Sequence, residues 1–207
     1  MKTLVTCLAA LILIGSHNLQ AEIVISEVNF QSNVVEIFNN GPSDVDISTW
    51  WICNRVNGSP FYYTIANATS INPASTEASG VADLILEAGD VLVLDVTAGF
   101  LPPANGEFAF YNSNSFGSSA AIEEYIAWGG DGFRDNVADG AGLWTTGDFI
   151  DVTGLSAGDS LQLIPGASSA SSSDYVFGAP SFGAIPEPSS AIVLGLVSTA
   201  LLVRRRK

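Results

Sequence analysis

The stretch 129–144, GGDGFRDNVADGAGLW, sets three aspartates, Asp131, Asp135 and Asp139, four residues apart among glycines. Oxygen-rich, pliable loops suit calcium, which takes about six to eight oxygen ligands, so these carboxylates are the candidate metal site. The spacing is not that of an EF-hand, which needs ligands at alternate positions and a closing glutamate. Carboxylates also adjoin at Glu123-Glu124. Neighbours on a strand point to opposite faces, however, and so do not flank one bond as a glycosidase pair must. Trp50, Trp51, Phe61, Tyr62, Tyr63, Trp128 and Trp144 supply flat apolar faces. Trp50 is expected in the core; Trp51 and Tyr62 are the candidate ligand contacts, able to stack on a sugar ring or meet a protein.

Other chemistry is excluded by what the chain lacks. Met1-Lys2, the apolar stretch 8–14 and Leu19-Gln20-Ala21 have the layout of a secretory signal peptide over 1–21, with cleavage expected between Ala21 and Glu22. That implies the Sec translocon and signal peptidase as transient partners. The histidine, His17, and Cys7 leave with it, so that Cys53 is the remaining thiol. Histidine-based triads, zinc sites built on histidine or several cysteines, and an intramolecular disulfide are thereby ruled out for the mature chain. Cys53 is expected as a small packed side chain. Between Glu22 and Glu187 the 21 carboxylates face two arginines, Arg55 and Arg134, a net charge of −19. Nucleic acid and anionic membrane surfaces need basic patches, so neither is an expected partner of this stretch.

The elements that must position these groups are strands. Helical periodicity is nearly absent between residues 22 and 180, and short β-rich runs bounded by Gly, Pro, Asn and Asp replace it. EIVISEVN (22–29), VVEIFN (34–39) and VDISTWWICN (45–54) alternate; Trp50 and Ile52 share one face of the last, Trp51 and Cys53 the other. FYYTIA, DLILE, VLVLDV, EFAFYN, IEEYIAWG and DSLQLI follow, with Gly89-Asp90 as a hairpin signal between the second and third of these. The pattern predicts one all-β sandwich over 22–165, with a long surface loop between residues 60 and 81. A Ser/Gly/Pro-rich linker is expected over 166–185.

The first thirty positions of that domain carry a resemblance. Ile25-Ser26-Glu27-Val28, Glu36-Ile37-Phe38-Asn39, Gly41, Val45-Asp46-Ile47-Ser48 and Trp50 resemble the opening of the lamin-tail domain, with Thr49 where that family usually has glycine. LEAGDVLVL, EEYIAWG and DSLQLI are similar to its later strands. The resemblance implies an immunoglobulin-like β-sandwich acting as an interaction module without chemistry of its own.

The other end carries a second resemblance. Pro186-Glu187-Pro188 precedes the uncharged run 189–203, which is followed by Arg204, Arg205, Arg206 and Lys207. Fifteen residues would span roughly 22 Å as a helix, short of a hydrocarbon core of about 30 Å. The basic cap would stay cytoplasmic. Residues 186–207 resemble the PEP-CTERM sorting signal, which implies cleavage by a membrane exosortase in a Gram-negative bacterium that makes extracellular polysaccharide. The combined expectation is an exported, non-enzymatic envelope or matrix protein, held transiently in the inner membrane and then released to the cell surface or matrix. Its acidic sandwich would bind polysaccharide or protein. Two alternatives stay open: a membrane-tethered binding protein with an uncut tail, and a calcium- or carboxylate-dependent enzyme acting on matrix polysaccharide.

Overall fold

β-Branched and aromatic residues dominate the segments that pair, because their side chains fill a pleated, half-buried surface. The structure, a computed structural model, describes residues 23–56, 59–67, 70–71, 84–96 and 101–183. Within them lie β1 (Ile23–Asn29), β2 (Val34–Asn39), β3 (Val45–Asp46), β4 (Trp51–Val56), β5 (Ser59–Thr64), β6 (Ser70–Ile71), β7 (Ile85–Leu86), β8 (Val91–Asp95), β9 (Gly106–Tyr111), β10 (Ile122–Trp128), α1 (Asp135–Ala141), β11 (Ser160–Leu163) and β12 (Tyr175–Gly178). One antiparallel sheet runs in the order β12-β11-β1-β2-β8-β6, a second in the order β10-β9-β4-β5, and β3 with β7 makes a short third pair.

The two large sheets face each other across a core. On β1 and β2, Ile25 is opposite Ile37 and Val28 opposite Val35, all four buried. Phe30 packs on Trp128 with ring centroids 5.0 Å apart. The Trp128 indole N–H donates to the Pro102 carbonyl at 2.8 Å, and its ring lies so close to Gly106 that a Cβ there would sit 2.6 Å from it. Only glycine fits opposite that tryptophan. A bulge between Ile25 and Glu27 frees the Ile25 N–H from the ladder, and it donates instead across the core to Glu124 at 3.3 Å.

Four sequence expectations are corrected. Residues 45–54 are not one strand: Asp46 accepts the Ser48 N–H at 2.9 Å, Trp50 N–H donates to Ile47 at 3.0 Å, and the chain turns from β3 into β4. Gly89, at φ +92°, does make a turn, but it parts β7 and β8 into different sheets instead of pairing them. Both ends of that turn bond to Asn39, through Gly89 N–H to Asn39 O and Asn39 N–H to Asp90 O, each 2.9 Å. Part of the glycine-rich stretch is helical, since α1 buries Val137 and Ala138 and is closed by Gly142 at φ +75°. The small polar residues of 166–185 are not a linker as far as Gly183. Asp174 accepts from Ser168 Oγ and Ala170 N–H, and Tyr175 opens β12, buried.

Ser70–Ile71 adds an edge strand to β8 inside the expected long loop, of which 72–83 falls outside the described residues. The expected signal peptide and C-terminal apolar span, with Ala21, Glu22, Pro186–Pro188 and the basic cap, also lie outside them. No helix among the described residues is long and apolar enough to cross a membrane.

Candidate binding surface on the four-stranded sheet

Alternation along β4 turns Trp51, Cys53 and Arg55 to the outer face of the four-stranded sheet. The registers bring Tyr111 beside Trp51 and Ala109 and Tyr62 beside Cys53. The turn between β9 and β10 folds back over this face and inserts Phe116. Its ring stacks on Tyr62 at 3.8 Å and 15°, and meets Trp51 and Tyr111 edge-on at 5.6 and 5.4 Å. The candidate contacts Trp51 and Tyr62 are thus brought together, both half-buried, through a third ring.

The segment after β10 supplies the rest. Arg134 donates through Nε and Nη2 to the Tyr62 hydroxyl at 3.0 and 2.5 Å. Its guanidinium lies 4.9 Å from the centre of the Phe133 ring, which is 48% exposed. Cation and ring attract through the ring quadrupole. Phe133, Arg134, Tyr62, Phe116 and Trp51 form one continuous row from solvent to sheet. Arg55, the other arginine of the described domain, donates through Nη1 to the Asp131 carbonyl at 2.9 Å and helps pin the same loop.

Beneath the row lies a buried carboxylate, Glu107. Its Oε2 accepts the Arg134 N–H at 2.8 Å and the Tyr125 hydroxyl at 3.0 Å, and its Oε1 faces the Cys53 thiol at 3.8 Å. Burial pushes the Glu107 carboxyl above the usual carboxylate range, and the backbone N–H groups of Arg134 and Phe133 with the Tyr125 hydroxyl draw it part of the way back. Burial and the neighbouring Glu107 hold the Cys53 thiol far above its ordinary value, so that it is a packed group and no nucleophile. Gly132 crosses directly over this cluster: a Cβ there would fall 1.6 Å from the Tyr125 oxygen. Glu107 therefore acts as a fastener for the loop that carries Phe133 and Arg134.

The three aspartates proposed for calcium go separate ways. Asp131 is exposed in the loop and offers its backbone carbonyl to Arg55. Asp135 accepts the Asn136 and Gly147 N–H groups, and Asp139 accepts the Thr146 N–H and hydroxyl. The last two close the turn after α1 with their own oxygens. No group of three or more His, Cys, Asp or Glu placed to hold a metal occurs among the described residues. Glu123 and Glu124 also diverge: Glu123 accepts from Asn112 at the surface and Glu124 is sealed in the core.

Phe116, Phe133 and Glu107 were not singled out in the sequence. A lone phenylalanine inside the polar run NSNSFGSS was the available signal for Phe116, since such a turn has no reason of its own to carry an aromatic ring.

The fold and this surface define an all-β protein consistent with an immunoglobulin-like sandwich, whose polar groups are spent on structure and whose aromatic row faces outward. The lamin tail domain model matches residues 17–179. The chain belongs to the lamin tail domain family. No curated protein matches it significantly.

Proposed function

We propose that this chain is an exported, non-enzymatic protein of the cell envelope or extracellular matrix, and that its lamin-tail sandwich is a binding module. The observation that carries the reading is the row Phe133–Arg134–Tyr62–Phe116–Trp51, an aromatic face with a cation in it on an otherwise acidic domain. Flat rings with a polar rim suit the apolar faces of sugar rings, and matrix polysaccharide is the ligand it fits best; a protein partner is the other. The saturated state of Glu107 and the divergence of Glu123 from Glu124 speak against carboxylate catalysis at this surface.

Export rests on the signal-peptide pattern of 1–21, and release on Pro186-Glu187-Pro188 with the apolar run and basic cap behind it, the arrangement an exosortase substrate presents. The domain would be held in the inner membrane until the tail is cut. Intact mass of the protein from its own host reads this directly: a chain from Glu22 to near Pro188 supports sorting and release, whereas one ending at Lys207 makes it a tethered binder.

The binding role is tested by affinity electrophoresis of the soluble domain through gels containing matrix polysaccharide from the producing cells. Wild type is expected to be retarded and Phe133→Ala much less so, with an unchanged unfolding midpoint. Equal mobility of the two, or no retardation of wild type, overturns the polysaccharide assignment.

A further inference from the structure

The opposite face of the molecule carries a second arrangement. After β12 the chain turns and crosses the outer face of the six-stranded sheet at an angle to its strands. Ala179 O accepts from Gln162 Nε2 of β11 at 2.6 Å. Ser181 donates its N–H to both Glu27 oxygens of β1 at 3.1 Å, and its hydroxyl to Glu27 Oε2 at 2.8 Å. Gly183 donates its N–H to Glu36 Oε2 of β2 at 2.6 Å. The contacts follow the sheet order β11-β1-β2, one strand after the next.

The two glutamates stand directly opposite each other in the β1–β2 ladder. Both are about as buried as core residues, at 1% and 2% exposure. Like charges in that position repel, and burial without full pairing costs more. No arginine or lysine offsets them, because the cations of the described domain, Arg55 and Arg134, lie on the other sheet. Their partners are uncharged: Ser181 and Gly183 from the crossing segment, and the Ser26 hydroxyl, which donates to Glu36 Oε1 at 2.7 Å. Gln162 of β11 and Val93 of β8 are the residues beside them in the ladders, and neither titrates. Glu27 is thus the titratable group facing Glu36.

We propose that residues 179–183 are a strap latched by Glu27 and Glu36, that the latch fixes where the C-terminal tail leaves the sandwich, and that it opens when Glu36 takes up a proton. A carboxylate that holds N–H donors needs its charge; a protonated one gives up most of that attraction. Burial, with the neighbouring Glu27, holds the Glu36 carboxyl above its ordinary range against the Gly183 N–H and Ser26 hydroxyl, so the latch is poised to open in mild acid. Closed, it leaves two residues between Gly183 and Pro186, three steps along the chain and a reach of at most ~11 Å at ~3.6 Å per step. Open as far back as Gly178, the reach grows to at most ~29 Å. The latch stands on the domain alone; only its use, in presenting Pro186-Glu187-Pro188 close to or away from the sandwich, rests on the sorting reading above.

Amide hydrogen exchange of the isolated full-length protein, corrected for the intrinsic effect of pH, reads the latch. At neutral pH the Ser181 and Gly183 amides are expected to be protected, and in mild acid their protection falls at least tenfold while that of β9 and β10 stays. Glu36→Gln and Glu27→Gln should reproduce the loss at neutral pH, for Gly183 and Ser181 respectively, with β9 and β10 again as the control for folding. Protection at 179–183 that is indifferent to acid in wild type overturns the proposal without any variant, and so does unchanged protection in both variants. Failure of the sorting reading would show separately, as a chain that ends at Lys207 whatever the exchange result.

Discussion

Glu124 accepts one N–H from Ile25 and lies wholly inside the core, beside Ser169 and Tyr175. Burial pushes its carboxyl up to about 8 against 4.5 in the ordinary state, with Ser169 and Ile25 opposing the shift. The folded domain therefore holds a proton that the unfolded chain gives up above about 4.5. The stabilisation from this residue is fully present below that pH and is lost as pH rises through about 8. Glu124→Gln, measured by urea unfolding at pH 5, 7 and 9, should match wild type at the lowest pH and exceed it at the highest. A constant difference across the series would mean that Glu124 is charged in the core after all. The sequence could place Glu123 and Glu124 on opposite faces by strand alternation, but not tell which was buried, because the bulge at that point obeys tertiary packing.

Among the elements, the strands legible in the sequence are β1, β2, β4, β5, β7, β8, β9, β10 and β11, each lying in a run of apolar and β-branched residues bounded by turn formers. β3 was read as one strand with β4 because the turn at Asp46 leaves the alternation unbroken, and β6 was hidden in the stretch read as a long surface loop. Helix α1 was hidden for a different cause. Its sequence, DNVADGA, has poor helix formers, and it forms because Val137 and Ala138 have a sheet to lie on. The β9–β10 turn is held in the same way, by Phe116 on three rings. Phe116→Ala should lower stability by about 1–2 kcal/mol, as for a ring that loses partial burial. Trp51, the half-buried tryptophan of the four, should then shift its fluorescence to the red. An unmoved emission maximum would show that the turn does not cover the row.

At the scale of the molecule the sequence identified the sandwich and its family, because one-sided and two-sided burial leave different patterns and the opening strands are specific. It misjudged the boundary at residue 165, since serines, glycines and alanines that look idle in one dimension are caps and crossings in three. The same error underlies the calcium expectation: evenly spaced aspartates suggest a cage, yet each of the latter two is used by the nearest turn. Adding calcium to the purified domain should raise its melting temperature no more than the same concentration of magnesium does, by general screening of its acidic surface. A rise specific to calcium and absent in Asp135→Asn would restore the metal site.

The strand order carries one more consequence, in time instead of space. β1 is the first of the described strands to be synthesised, yet it sits between β2 and β11, and the Tyr175 hydroxyl that closes on Ile25 comes from 150 residues further along. A sheet wired in this way is completed only when nearly the whole chain is available, and such distant pairings form slowly. The four-stranded sheet can close once Trp128 has been made, whereas the β1 edge of the larger sheet stays open until β11, Ser160–Leu163, arrives to cover it.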